Sequence, residues 1–139
     1  MELLQDRIKD NNNMCFGCSQ ANPIGLKLKF TLDGEICRTE FEAKEEHQGW
    51  NGYMHGGLIA ALLDETMAWW LWFNDISIMT AEMTTRYSYG VPINTRLVVE
   101  SWCEEVKRGR LYLMAGRIIL PDGKVAVRAN AKFMKTELK

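Results

Sequence analysis

One stretch of this chain concentrates residue types that can do acid–base and oxyanion chemistry: HQGWNGYMHGGLIAALLDE, residues 47–65. Gly56 and Gly57 follow His55 where an apolar run begins. A helix start carries unpaired N–H groups and a partial positive charge. Glycine there lets a ligand come close to the backbone. Such a place suits an oxyanion formed at a reacting carbonyl. A tight loop-to-helix connection explains the same glycines equally well.

Asp64 is the next candidate. Its helical neighbours at three, four and seven residues are Gly57, Ala60, Ala61, Ala68 and Leu71. A carboxylate on so small and apolar a face is costly to bury, and its pKa rises. Acids held in such places are functional-site candidates; a capping or interface hydrogen bond is the plainer alternative. Glu65 competes with it. It lies about 100° further round the helix, beside Leu58, Leu62, Trp69 and Trp72. It can instead be the surface partner of an arginine. Asp64 lies eight residues beyond Gly56, roughly 12 Å along a helix axis. One carbonyl cannot be within hydrogen-bond reach of both. If both act on one substrate, they come from different subunits.

Three weaker signals surround this stretch. Cys15-x-x-Cys18 supplies two of the four ligands that zinc needs, and no second such pair exists. No metal is therefore expected, and a structured loop with two small side chains is. Trp69, Trp70, Trp72 and Phe73 read mostly as core, with a part left to line an apolar pocket. Arg86, Arg96, Lys107, Arg108 and Arg110 are each a solvated surface cation or a partner for phosphate groups.

The elements that must position these residues follow from pattern and punctuation. Residues 1–10 have the spacing of a short amphipathic helix, an N-terminal extension ended by Asn11–Asn13. Leu26, Leu28, Phe30 and Leu32 alternate with polar residues, which predicts a strand. Asp33-Gly34 gives a hairpin turn, with Ile36 to Ala43 as the partner strand. The helix runs from the glycines to about Phe73, and Asn74-Asp75 closes it. It is apolar on nearly all sides, so it must be buried on nearly all sides. Four strands follow: Ile78–Tyr89, Thr95–Val106, Arg110–Leu120 and Lys124–Lys135. Lys107-Arg108-Gly109 and Pro121-Asp122-Gly123 turn the last three into a meander. The expected architecture is α+β: one domain over 1–139, with a long central helix wrapped by a six-stranded antiparallel sheet. One such sheet covers only part of the helix, which predicts self-association.

Bulk properties remove other classes. The net charge of −1 gives no basic field for nucleic acid or anionic membrane. Leu58 to Phe73 is too short for a membrane span and carries two carboxylates. The start MELLQDRIKD lacks an apolar run. With four scattered cysteines, a cytoplasmic protein with reduced thiols is expected.

HGGLIAALLDE, preceded by HQGW and a strand pair, resembles the hotdog-fold thioesterases of the PaaI type. CFGCSQANPIGL, residues 15–26, is similar to a segment recurring in that group. The likeness covers roughly residues 15–135. It implies hydrolysis of an acyl-CoA thioester to an acid and free CoA, with no cofactor, in a homodimer or dimer of dimers. The catalytic carboxylate it implies is Asp64, nine residues after the HGG histidine. The implied oxyanion donor is the Gly56 N–H of the opposite subunit. Thr80 falls where a helping hydroxyl stands on the strand after the helix. The amide that relatives place six residues before the histidine is Gly49 here. Gln48 and Asn51 are the residues left to replace it. His55 holds the loop, and His55, Gly57 and Glu65 join them as candidate substrate-binding groups. A non-catalytic acyl-CoA binding or sensing module on the same fold is the alternative. The missing amide favours the module; Asp64 with both glycines favours the enzyme.

Overall fold

A computed structural model describes residues 14–137. The predicted N-terminal helix over residues 1–10 lies outside the described residues. The helix, α1, spans Gly56–Phe73. The strands are β1 (Thr31–Asp33), β2 (Ile36–Glu42), β3 (Ile78–Tyr87), β4 (Arg96–Lys107), β5 (Leu111–Ile119) and β6 (Val125–Lys135). They form one antiparallel sheet in the order β1-β2-β4-β5-β6-β3. A short 3-10 turn at Glu45–His47 precedes the loop that leads to the helix.

The sheet curls round α1, and β6 shows how. Val127, Ala129, Ala131 and Phe133 are buried, while Arg128, Asn130 and Lys132 are exposed. This alternation puts one face on the helix and one in water. Small residues set how closely the helix can lie. A side chain at Gly116 would start 3.3 Å from Leu63 Cδ2 and from the Glu100 carbonyl. Leu62, Leu63, Met67 and Leu71 fill the interior beside Val99, Met114, Ile118 and Phe133. From Leu58 to Phe73 no helical residue is exposed. Asn74 ends the helix, its N–H donating to the Leu71 and Trp72 carbonyls, and Asp75 takes a positive φ of 58°.

The first predicted strand is corrected. Only Thr31–Asp33 pairs with β2, and the two-residue turn is Gly34-Glu35, because Asp33 pairs with Ile36. Leu26 and Leu28 are buried as their alternation requires. Their backbones turn back to the preceding loop instead: Leu26 N–H donates to the Phe16 carbonyl and Leu28 N–H to that of Gly17. Lys27 between them has φ of 54°, which breaks strand geometry. Among the described residues no helix is long and apolar enough to cross a membrane.

Candidate active site

Asp64 meets β3 through Thr80, whose hydroxyl donates to Asp64 Oδ1 at 2.7 Å. Thr80 pairs across the sheet with Phe133, which is fully buried, so Thr80 stands on the helix-facing side. A bulge between Thr80 and Glu82 shifts the register. It leaves Met83, Thr85 and Tyr87 opposite Ala131, Ala129 and Val127, again facing the helix. Yet Thr80 and Tyr87 are exposed. A groove open to solvent therefore runs between α1 and β3, with Asp64 half-buried in its wall. Burial pushes the Asp64 carboxyl above the usual aspartate range. The Thr80 hydrogen bond pulls it part of the way back, and charge at Cys15 adds to the rise.

The groove ends at the helix start. The Tyr87 hydroxyl donates to the Gly56 carbonyl at 2.8 Å. His55 caps the helix, its Nδ1 accepting from the Gly57 N–H at 2.9 Å. The Gly57 N–H is thus engaged by the cap. The exposed Gly56 N–H meets no acceptor among the described residues. The His55 backbone N–H also donates to the His47 carbonyl at 2.8 Å.

The two amides expected to stand in at Gly49 differ. Gln48 donates to the Glu45 carbonyl at 2.9 Å and accepts from the Gly52 N–H at 2.5 Å. Both ends of its amide serve the loop. Asn51 is exposed and lines an open depression of about 440 Å³ with Trp50, Tyr53, His55 and Gly56. A side chain at Gly49 would begin 3.2 Å from the His55 Cα, so this loop packs directly on its cap.

Glu65 turns away under the loop that carries Cys15 and Cys18. Cys15 Sγ and Glu65 Oε1 share a hydrogen bond of 3.1 Å, and Oε2 is buried with no hydrogen-bond partner among the described residues. Burial and then charge at Cys15 push its carboxyl up to about 9. No arginine or lysine pairs with it among the described residues, so the alternative of a surface ion pair with an arginine is not met there. The Cys15 thiol sits low, at about 5, chiefly through its hydrogen bond with Cys18. The Cys18 thiol is raised by the same contact and by burial. Trp69 stacks on Phe30 at 5.3 Å and meets Trp72 edge-on at 5.4 Å. With Phe73 these rings pack against Cys18 and Cys37, sealing that end of the helix.

The five basic residues are not brought together. Arg96 pairs with Glu40, and Arg86 lies opposite Arg128 in the sheet. Lys107, Arg108 and Arg110 do gather, lining a cavity of about 460 Å³ with Leu111 and Met134. Tyr87 was missed by sequence reasoning. Only the register of β3 past its bulge aims it at Gly56.

The sequence profile of the thioesterase superfamily matches residues 51–127, more than half of the chain. The acyl-coenzyme A thioesterase THEM4 of Rattus norvegicus is 28% identical over 90 residues, which is 65% of this chain and 39% of that protein. The crystal structure of a thioesterase superfamily protein is 27% identical, covering 85% of this chain and 61% of its own, with TM-score 0.79. The chain thus spans less than two thirds of either. Two others resemble it in fold alone. Escherichia coli PaaI, from the phenylacetic acid degradation operon, is 12% identical over 79% of this chain and 84% of its own, TM-score 0.74. A hypothetical thioesterase of Streptococcus pneumoniae, solved with coenzyme A, is 14% identical over 81% and 88%, TM-score 0.74. It was also solved with an aspartate changed to alanine and, separately, a threonine changed to alanine sixteen residues further on. One helix wrapped by a six-stranded antiparallel sheet is the hotdog fold, and this chain belongs to the thioesterase superfamily.

Proposed function

We propose that this chain hydrolyses an acyl-CoA thioester, with Asp64 as the reacting carboxylate and Thr80 holding it. The observation that carries this reading is the 2.7 Å hydrogen bond from Thr80 to Asp64 in an open groove. It fixes one carboxylate oxygen and leaves the other for chemistry. The interval from Asp64 to Thr80 is sixteen residues, the interval between the two substituted positions of the Streptococcus pneumoniae protein. Asp64 either attacks the thioester carbon, giving a mixed anhydride that water hydrolyses once CoA has left, or takes a proton from the water that attacks it. The carbon–sulfur bond then breaks, and CoA leaves as a thiolate that takes up a proton. The oxyanion formed on the way needs a donor, and the exposed Gly56 N–H at the helix start supplies one.

Helix geometry separates Gly56 and Asp64 of one chain by roughly 12 Å along the axis. We therefore assign the donor to a second subunit. β3 supports this assembly. Among the described residues it is an edge strand, bonded only to β6, and unpaired edges invite pairing with another chain. Its inward-facing Thr80 and Tyr87 are exposed in the single chain.

Thiol release from a panel of acyl-CoAs tests the activity, with Asp64→Asn as control. Mixing tests the shared site. Gly56→Val places branches against the Tyr87 ring, which already lies 3.7 Å from where a Cβ would be, and removes the open approach to the N–H. Alone, Gly56→Val and Asp64→Asn should each lose most of the turnover. A mixed dimer has one site with both lesions and one with neither, so mixing should restore up to half of the activity of that dimer. Mixed dimers proven by mass spectrometry yet without recovered turnover would mean that both groups act within one subunit or that one of them is not catalytic. Tight acyl-CoA binding without thiol release would instead support the non-catalytic module, which the engaged amide of Gln48 favours.

A further inference from the structure

We propose that Cys15, Cys18 and Glu65 together bind one thiophilic divalent cation of the zinc class, tying the loop before β1 to helix α1. The sulfur atoms of Cys15 and Cys18 and a carboxylate oxygen of Glu65 all lie within 4.8 Å of one another. Zinc–sulfur bonds of about 2.3 Å and zinc–oxygen bonds near 2.1 Å, set tetrahedrally, need ligand separations of roughly 3.4–3.8 Å. The Cys15 Sγ to Glu65 Oε1 distance of 3.1 Å is close to that. Two cysteines spaced C-x-x-C are a common half of a zinc site. The sequence hid the third ligand, because Glu65 is 50 residues from Cys15. Three protein ligands leave solvent to complete the shell.

The surroundings are built for this. Glu65 Oε2 is buried with no hydrogen-bond partner among the described residues, a costly arrangement that wants an explanation. A cation on the carboxylate supplies one. Gly17, between the two cysteines, has no room for a side chain: a Cβ there would lie 2.2 Å from Glu65 Cγ. The loop is thus laid directly on the carboxylate. Backbone bonds hold it there, from Ser19 N–H to the Cys15 carbonyl, from Leu26 to Phe16 and from Leu28 to Gly17. The Trp69 indole N–H, which has no oxygen acceptor among the described residues, packs beside Cys18. An N–H donor next to a ligating sulfur is the outer-shell contact such sites use. Coordination takes the protons from the Cys15 and Cys18 thiols and the Glu65 carboxyl, and thiolates select zinc over magnesium or calcium.

The test titrates reduced, metal-free full-length protein with cobalt(II), anaerobically. The expected result is an intense sulfur-to-cobalt charge-transfer band that saturates at one ion per chain and is erased by added zinc. Cys15→Ser and Cys18→Ser should each abolish it. Glu65→Gln should weaken binding by about ten-fold or more, and Cys103→Ser should leave it intact. A second measurement avoids variants altogether. On the wild-type chain, zinc should shield Cys15 and Cys18 from alkylation, mapped by mass spectrometry, and leave the rate at Cys103 unaltered. No thiolate band, no selective shielding, or saturation at one ion per two chains with Glu65→Gln binding normally would each overturn the proposal. The last would mean that two subunits pool their cysteines without the carboxylate.

Discussion

Asp64 and Glu65 are neighbours in sequence, alike in chemistry and carried on one helix, yet they face different worlds. About 100° of helical rotation separates them. Asp64 faces the open groove beside β3 and is held by a strand hydroxyl. Glu65 faces the underside of the Cys15–Cys18 loop and is held by a thiol. Leu63, one residue earlier, faces the sheet and is fully buried against Gly116. Three consecutive positions thus serve the core, the groove and the loop. Environment, not residue type, sorts the two acids.

Substitutions at these three positions should therefore separate stability from turnover. The largest effect belongs to the core. Leu63→Ala removes a side chain with no exposed surface from between helix and sheet. It should cost about 2–5 kcal/mol of unfolding free energy, read by denaturant melts. A loss below about 1 kcal/mol would show that the helix is not seated on β5 as described.

Asp64→Asn should do the reverse. It keeps the shape and removes the charge, lowering turnover by about 100-fold or more while the melting midpoint stays within a few degrees. Steady-state rates on the best acyl-CoA check it. A smaller loss in Asp64→Asn than in Glu65→Gln would put the chemistry on the wrong side of the helix.

Thr80→Val comes next. It keeps the β-branched shape on β3 and removes the donor to Asp64. A hydrogen bond to a charged group contributes about 1.5–3 kcal/mol, so turnover should fall by about ten-fold or more. Thr80→Ser should recover most of that loss, because the hydroxyl returns. No difference between the Val and Ser variants would leave Thr80 a packing residue only.

Much of this was legible in the sequence, and the illegible parts have physical reasons. The helix bounds stood out because Gly56-Gly57 and Asn74-Asp75 punctuate a run with no polar face. The meander stood out because Arg108-Gly109 and Asp122-Gly123 mark its turns. The first strand misled because its alternation is real. Leu26 and Leu28 are buried, but on a loop whose carbonyls take their N–H groups, and side-chain pattern does not reveal where backbone bonds go. Asp64 stood out by its small, apolar helix face, whereas Thr80 came from the resemblance, since no local pattern joins residues sixteen apart across a turn. Tyr87 was beyond reach, because a bulge after Thr80 resets which β3 residues face inward. The partner of Glu65 was hidden for a similar reason. It is a cysteine far away in sequence, where an arginine was the alternative.

The smallest effect should be at Glu65, and it is the most informative. Its hydrogen bond to Cys15 and the close approach of Gly17 both lie on the Cys15–Cys18 loop. Neither lies in the groove beside β3. Replacing the carboxyl by an amide of the same shape leaves the packing under Gly17 in place. Turnover in Glu65→Gln should therefore fall by no more than about three-fold under saturating acyl-CoA, with KM altered as little. Cation binding at the loop should respond where turnover does not, so the two readouts separate on a single variant. A loss approaching that of Asp64→Asn would mean that the loop and the groove act as one site. The contrast between the two acids would then collapse, and Cys15, whose charge already reaches Asp64, would be the residue through which they couple.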